Sequence, residues 1–402
     1  MEYQDSEQAR KLAKRARNFV DEVVIPRERE LEGGTKVPDD VIEDLREEAR
    51  DRNLYAPQIG EEHGGMGVEF RDVLPLFEEA GRSLLAPPAM RVDAPDEGNM
   101  HTLELAGTEE QQERWLEPLL EGELTSAFSM TEPRQGGGAD PKMIKTTAER
   151  DGDEWVIDGH KWWITNGSEA DFFITLARTD QDSHPYEGCS LIIVPEDTPG
   201  LEVKRDIPHL GDDITSDIHS EIIYDDVRVP EENLVGEEGE GFTIAQKRLG
   251  PARLTHCMRY SGMATRALEV AKAYTSEREG FGEAIADKQG VRFDIAEAET
   301  NLHAARTMVR HAANEISRGN QARVPVSMCK FYTANVTEDA INTALQLCGA
   351  SGIGKDLPIA DFYENVRQFR IVDGPDEVHK RVIARDAYED IDMDELGPLP
   401  TF

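Results

Sequence analysis

Residues 371–381 of the 402-residue chain read IVDGPDEVHKR, which sets Asp373, Asp376 and Glu377 around a Gly-Pro pair. A carboxylate on an irregular turn suits general-base work, because a proton acceptor has to be held at one point. Pro375 fixes its own φ and biases Gly374 away from helix, a means of setting that backbone. Asp376 and Glu377 open the run DEVHKRVIARDAYED, where first-turn acids are favoured by the helix dipole. Chemistry alone leaves a loop or cap role open for each of the three.

Two further stretches carry reactive or binding chemistry. SAFSMTEPRQGGGAD (126–140) is a glycine-rich loop, able to bring backbone amides close to phosphate oxygens. HKWWITNG (160–167) places Trp163 and Thr165 two apart, on one face of a strand, where an aromatic plane beside a hydroxyl suits a flat polar cofactor ring. From these residues alone, a plain loop and a core tryptophan are the favoured reading. GPARLTHCMRYSG (250–262) adds His256 and Arg259 on one helix, and a hydrogen-bonded core histidine is the simplest reading of His256. The four cysteines show neither CxxC pairing nor metal-ligand spacing and read as buried free thiols of a reducing cytosol. No metal site is expected.

The elements that must position these residues fall into three segments. From about residue 7 to 120 apolar residues recur at three and four, as in Leu12, Ala16, Phe19, Val20 and Val23, which predicts helices. Between about 125 and 236 the texture turns to short β-branched and aromatic runs such as EWVIDG, FFITLAR and CSLIIVPE, separated by turn residues. After 240 helices return; Val291, Ile295, Ala298, Leu302, Ala305, Val309, Ala312 and Ile316 form one stripe along a helix of about 27 residues. A second run, roughly Met328 to Leu347, supplies a partner. The predicted fold is mainly α with an inserted β domain: 1–124 helical, 125–236 β, 237–402 a helical bundle. A GxGxxG fingerprint after a strand is missing, which argues against a Rossmann unit.

The chain carries 81 acidic against 44 basic residues, a formal charge of −37. Such a surface repels nucleic acid and anionic membranes. Its self-repulsion is tolerable where salt screens it, so a salt-rich cytoplasm is the expected setting. No stretch approaches the roughly 18 apolar residues of a membrane span, and no signal-peptide core is visible, so a soluble cytoplasmic protein is expected.

Taken in order, TEP, the glycine-rich loop, WITNG, VRVPEENLVGEEGEGF (227–242), REGFG (278–282), LQLCGASG (345–352) and the Asp373-Gly374 pair resemble the acyl-CoA dehydrogenase family over nearly the whole chain. The resemblance implies a helical domain, a β domain and a C-terminal four-helix bundle, assembled as a homotetramer with one FAD per subunit. It places Phe128, Met130, Thr131, Gly138, Ala139, Trp163, Thr165, Pro375 and Glu377 at the flavin. Ala139 stands where the family has a serine. Arg278, Phe281, Gln289, Gln346 and Gly349 would reach the adenine and pyrophosphate end of a neighbouring subunit's FAD. Arg253, Ala139 and Gly374 would meet the substrate, and Asp373, in the family's glutamate position, would be the α-proton base. The implied reaction is α,β-dehydrogenation of an acyl-CoA to a trans-2-enoyl-CoA, with electrons passed to an electron-transfer flavoprotein. The thioester carbonyl would be held by the base residue's N–H and a flavin hydroxyl. Two departures mark a branch: Val372-Asp373-Gly374-Pro375 replaces Tyr-Glu-Gly-Thr, and DGPDEVH resembles a subgroup linked to 4-hydroxyacyl-CoA breakdown. A nitroalkane or acyl-CoA oxidase of the same superfamily is the related alternative, and a non-catalytic flavoprotein or CoA-ester-binding subunit the distant one.

Overall fold

The computed structural model describes residues 4–30, 37–211, 218–320 and 322–389. Helices come first, among them Glu7–Phe19, Asp39–Asp51, Phe70–Ala80 and Asp96–Ala106. Ser6 starts the first by accepting from the Ala9 N–H at 3.0 Å, and Leu12, Ala16 and Phe19 bury the face their spacing predicts. That face does not close a core of its own. It packs with Phe77, Leu268, Leu302 and Phe362 in one continuous apolar cluster, so the first and last helical segments share a core across the inserted strands.

The insert is an eight-stranded sheet: β1 (Ser126–Ser129), β2 (Thr147–Asp151), β3 (Glu154–Thr165), β4 (Phe172–Arg178), β5 (Cys189–Pro195), β6 (Leu201–Asp206), β7 (His219–Pro230) and β8 (Leu234–Val235). The order is β6-β7-β3-β2-β4-β5-β8, with β1 parallel to β4. FFITLAR and CSLIIVP are near-continuous apolar runs because β4 and β5 are covered on both faces. Phe172, Ile174 and Leu191 meet Trp115 and Leu116 of the helical segment, while Phe173, Ile192 and Val194 meet Trp155, Ile222 and Tyr224 within the β segment.

Three long helices follow, Gly241–Glu277, Gln289–Ser317 and Arg323–Cys348, then Ile359–Gln368 and Asp376–Glu389. In the second, Ala298, Leu302, Ala305, Val309 and Ala312 are buried as the stripe predicts, whereas Val291, Ile295 and Ile316 near its ends are half-covered. The Gly241–Glu277 helix crosses Phe70–Ala80 at backbone contact. A Cβ at Gly262 would stand 1.8 Å from the Glu78 carbonyl oxygen, and one at Gly81 1.9 Å from that of Arg259, so only glycine permits the crossing. All four cysteines are buried and unpaired. Among the described residues no helix is long and apolar enough to cross a membrane.

Candidate active site

The strands, the first half of the Gly241–Glu277 helix and the 371–375 turn together enclose one cavity of about 1090 Å³. Its strand wall is shaped by a bulge. Lys161 pairs with Ile222 and Ile164 with Ser220, so β3 carries one residue more than β7 between them, and Trp163 takes a left-handed φ of 56° there. Trp163 thereby faces the cavity together with Thr165, whose hydroxyl lies 3.2 Å from His219 Nδ1. Alternation alone anticipates the shared face but not the bulge. Burial, then neighbouring His209, pushes the His219 pKa down to about 4, so this imidazole is neutral at ordinary pH.

The glycine-rich loop is organised by Glu132. Its carboxylate accepts from the N–H groups of Gly137 (3.0 Å), Lys145 (2.8 Å) and Thr146 (2.8 Å) and pairs with buried Lys161 at 3.1 Å. Burial raises the Glu132 pKa, but Lys161 and the amides more than reverse this and leave it below its usual value. A Cβ at Gly136 would fall 2.1 Å from Glu132 Oε2, which accounts for that glycine, whereas Gly138 has open space where its Cβ would be. Gly138 and Ala139 line the cavity with Phe128, Met130 and Thr131.

Across the cavity Asp373 also has a left-handed φ, 56°. Three side chains pin that turn: Arg253 Nε donates to the Asp373 carbonyl at 2.9 Å, His379 Nε2 lies 3.3 Å from the same oxygen, and Lys330 Nζ donates to the Gly374 carbonyl at 2.9 Å. The carboxylate meets His256, Nδ1 against Oδ2. Burial acts to raise the Asp373 pKa, but His256, Arg253 and Lys330 outweigh it and hold the carboxyl well below the usual range. Asp376 is buried in an ion pair with Arg370 (2.8 Å) and accepts from Asn335 (3.1 Å), and it has no place on the cavity wall.

The cavity therefore gathers Asp373, Gly374, Pro375, Arg253, Phe128, Met130, Thr131, Gly138, Ala139, Trp163 and Thr165. It leaves out Glu377, which is exposed, and Arg278, Phe281, Gln289, Gln346 and Gly349. Those five sit at the far end of the helical bundle, where one helix ends, the next begins and the third ends; Phe281 there is fully exposed. Sequence reasoning missed Arg248, Glu132 and Lys330, and it read His256 as a hydrogen-bonded core histidine without naming its partner. Lys330 left a readable trace, a single cation amid the small and apolar run VPVSMCKFYTANV; the pairing of His256 with Asp373 spans 117 positions and left none.

In a chain of charge −37, the cavity is lined by seven arginines and one lysine against five carboxylates. Arg248 and Arg259 each keep a buried Nε without a hydrogen-bond partner. Such a wall fits an anionic ligand with an apolar, aromatic-faced portion. Away from it, Glu62, His63 and Glu104 bring ligand atoms within 4.8 Å of one another, a grouping their linear spacing does not announce.

Comparison with known proteins adds the family. The N-terminal, middle and C-terminal domain models of acyl-CoA dehydrogenase match residues 6–123, 127–227 and 239–388. The chain belongs to the acyl-CoA dehydrogenase family. It is similar to the probable acyl-CoA dehydrogenase FadE2 of Mycobacterium tuberculosis, 42% identical over 86% of this chain and 85% of the relative. It is 37% identical to acyl-CoA dehydrogenase family member 11 of Gallus gallus over 95% of this chain, but spans only 51% of that longer protein. The solved butyryl-CoA dehydrogenase of Megasphaera elsdenii superposes with a TM-score of 0.85 at 27% identity, covering 96% of this chain and 100% of its own. As in that family, helical, β and helical segments follow one another here, and the cavity lies where they meet.

Proposed function

We propose that this chain is an FAD-dependent acyl-CoA dehydrogenase that converts an acyl-CoA thioester to the trans-2-enoyl-CoA. The observation that carries the reading is one cavity faced by an aromatic ring and hydroxyl, an open glycine-rich loop and a carboxylate on a turn whose backbone two cations anchor. FAD fits its wall: Trp163 and Thr165 would flank the ring, with Phe128, Met130, Thr131, Gly138, Ala139 and Pro375 beside it. Bound there, FAD would supply the hydride acceptor. Asp373 takes the α-proton. Its own N–H, which donates to no group among the described residues, is free to hold the thioester carbonyl as charge grows there. Arg253 and Lys330, anchored on the carbonyls of Asp373 and Gly374, keep both groups in place. The surplus of arginine suits the phosphates of CoA.

Arg278, Phe281, Gln289, Gln346 and Gly349 would serve a neighbouring subunit's FAD in a homotetramer. Supporting this, the same end of the bundle leaves Phe281, Phe293 and Ile353 exposed, by 100%, 62% and 68%. Glu377, exposed two residues beyond Pro375, would reach the cofactor from outside the cavity. Electron-transfer flavoprotein is the proposed acceptor, in a salt-rich cytoplasm.

The purified protein is expected to be yellow and oligomeric, and to lose its flavin absorbance anaerobically with a saturated acyl-CoA. A colourless protein, or one whose flavin no thioester reduces, ends the reading. Oxygen uptake without added acceptor at the full turnover rate would assign an oxidase instead.

A further inference from the structure

His256 stands 8% exposed on the Gly241–Glu277 helix, one turn beyond Arg253. Among the described residues it is the sole hydrogen-bond partner of the Asp373 carboxylate, and it engages only Oδ2. An ionised carboxylate can only accept, so Nδ1 carries the proton and donates it. Nε2 is buried without a partner in the cavity wall. The ring cannot turn freely. Phe369 meets it edge-on at 6.4 Å, and Tyr260, one turn on, stacks on the same phenyl at 4.2 Å.

The backbone of residue 373 is fixed from three sides, yet none of those contacts reaches its carboxylate. Asp373 still has its own side-chain torsions to settle, and Arg248 and Arg253 on the cavity wall and buried Lys330 behind the turn all attract it. An aspartate is one methylene shorter than a glutamate, so a small swing toward any of these cations takes it off the reacting carbon.

We propose that His256 is a positioning residue for proton abstraction: its Nδ1–H holds Asp373 Oδ2 and thereby presents Oδ1 to the α-carbon of the thioester. This rests on the reading of Asp373 as base. Atoms balance simply, since the α-proton moves to Oδ1 while Oδ2 stays bound and His256 neither gains nor loses a proton. Displacement of a reacting group by about 1 Å costs on the order of 10²-fold in rate.

The test uses the flavin-loaded oligomer, butyryl-CoA and octanoyl-CoA as probes, and three variants. His256→Leu removes the donor, His256→Asn keeps an amide N–H near the place of Nδ1, and His256→Gln puts its amide nearer the place of Nε2. Expected are flavin reduction about 10²-fold slower at saturating thioester in the Leu and Gln variants, unchanged thioester affinity, and recovery of most of the lost rate in the Asn variant. Wild-type rates in His256→Leu overturn the proposal, as does an Asn variant no faster than Leu, which would give the imidazole itself the task. Crystal structures of the variants decide the placement without turnover. The carboxylate should keep its position in the Asn variant and swing toward Arg253 or Lys330 in the Leu or Gln variant; an unmoved carboxylate in either overturns the idea. Flavin reduction that survives Asp373→Asn sinks the base reading instead, whatever the His256 variants do.

Discussion

The two halves of the Gly241–Glu277 helix are both rich in charge and treat it in opposite ways. Toward its C-terminal half Arg266 forks onto Glu28 at 2.9 and 2.7 Å, Glu269 holds Arg17 and Arg82, and Lys272 meets Glu299. In the first half Arg248, Arg253 and Arg259 have no carboxylate within ion-pair distance among the described residues, and His256 keeps a free ring nitrogen. The saturated half packs against neighbouring helices and the unsaturated half faces the cavity. Charges that serve the fold find partners within the chain; charges that serve a ligand are left waiting for one.

The comparison breaks most visibly at Asp373. Asp373→Asn should lower the rate of thioester-driven flavin reduction by about 10²- to 10⁴-fold while FAD and thioester still bind, measured by anaerobic stopped flow and titration. Asp376→Asn should cost stability and leave that rate standing. On the saturated half, Arg266→Met leaves Glu28, half-buried and then held only by the Ser83 hydroxyl, without its cation, at a cost of about 2–3 kcal/mol in a denaturant titration, with flavin reduction per bound flavin unchanged.

Glu79, beside that paired half, yields a comparable but pH-dependent effect. Burial, then neighbouring Glu78, pushes its pKa up to about 7. The folded chain therefore holds a proton that the unfolded chain has released between the usual carboxylate range and pH 7, and stability falls as pH rises through that window. Glu79→Gln should be more stable than the natural protein above pH 7, by on the order of 3 kcal/mol, and equal to it near pH 4. Arg248→Met should give the smallest change in melting, within about 1 kcal/mol, because its removal strands no carboxylate and a methionine keeps an apolar contact with the Phe128 ring. Its loss should appear as weaker thioester binding. A large destabilisation there would erase the distinction between the two halves.

The helical and β segments were legible because apolar spacing reports burial directly: Leu12, Ala16 and Phe19, or the unbroken FFITLAR, each face what their period implies. The binding wall was legible where short runs carry it, as with Trp163 and Thr165. What stayed hidden depends on approach between distant segments. Nothing near His256 in the sequence announces a carboxylate 117 residues away, and Glu132 reads as an ordinary loop acid until three amides and Lys161 close on it. The shared core of the first and last helices escaped for the same reason.

The left-handed backbone at residue 373 also bears on how such a site changes over generations. Aspartate and asparagine are among the side chains that take that conformation most readily. Their codons differ by a single base, so the step that removes the carboxylate leaves the turn undisturbed. With Asp373 as the proposed base, a lineage that lost the chemistry by drift would keep the cavity, the Arg253 anchor and the fold, and would differ by one amide. The way back is equally short, which makes activity at this turn a trait that descendants can drop and regain without rebuilding anything around it.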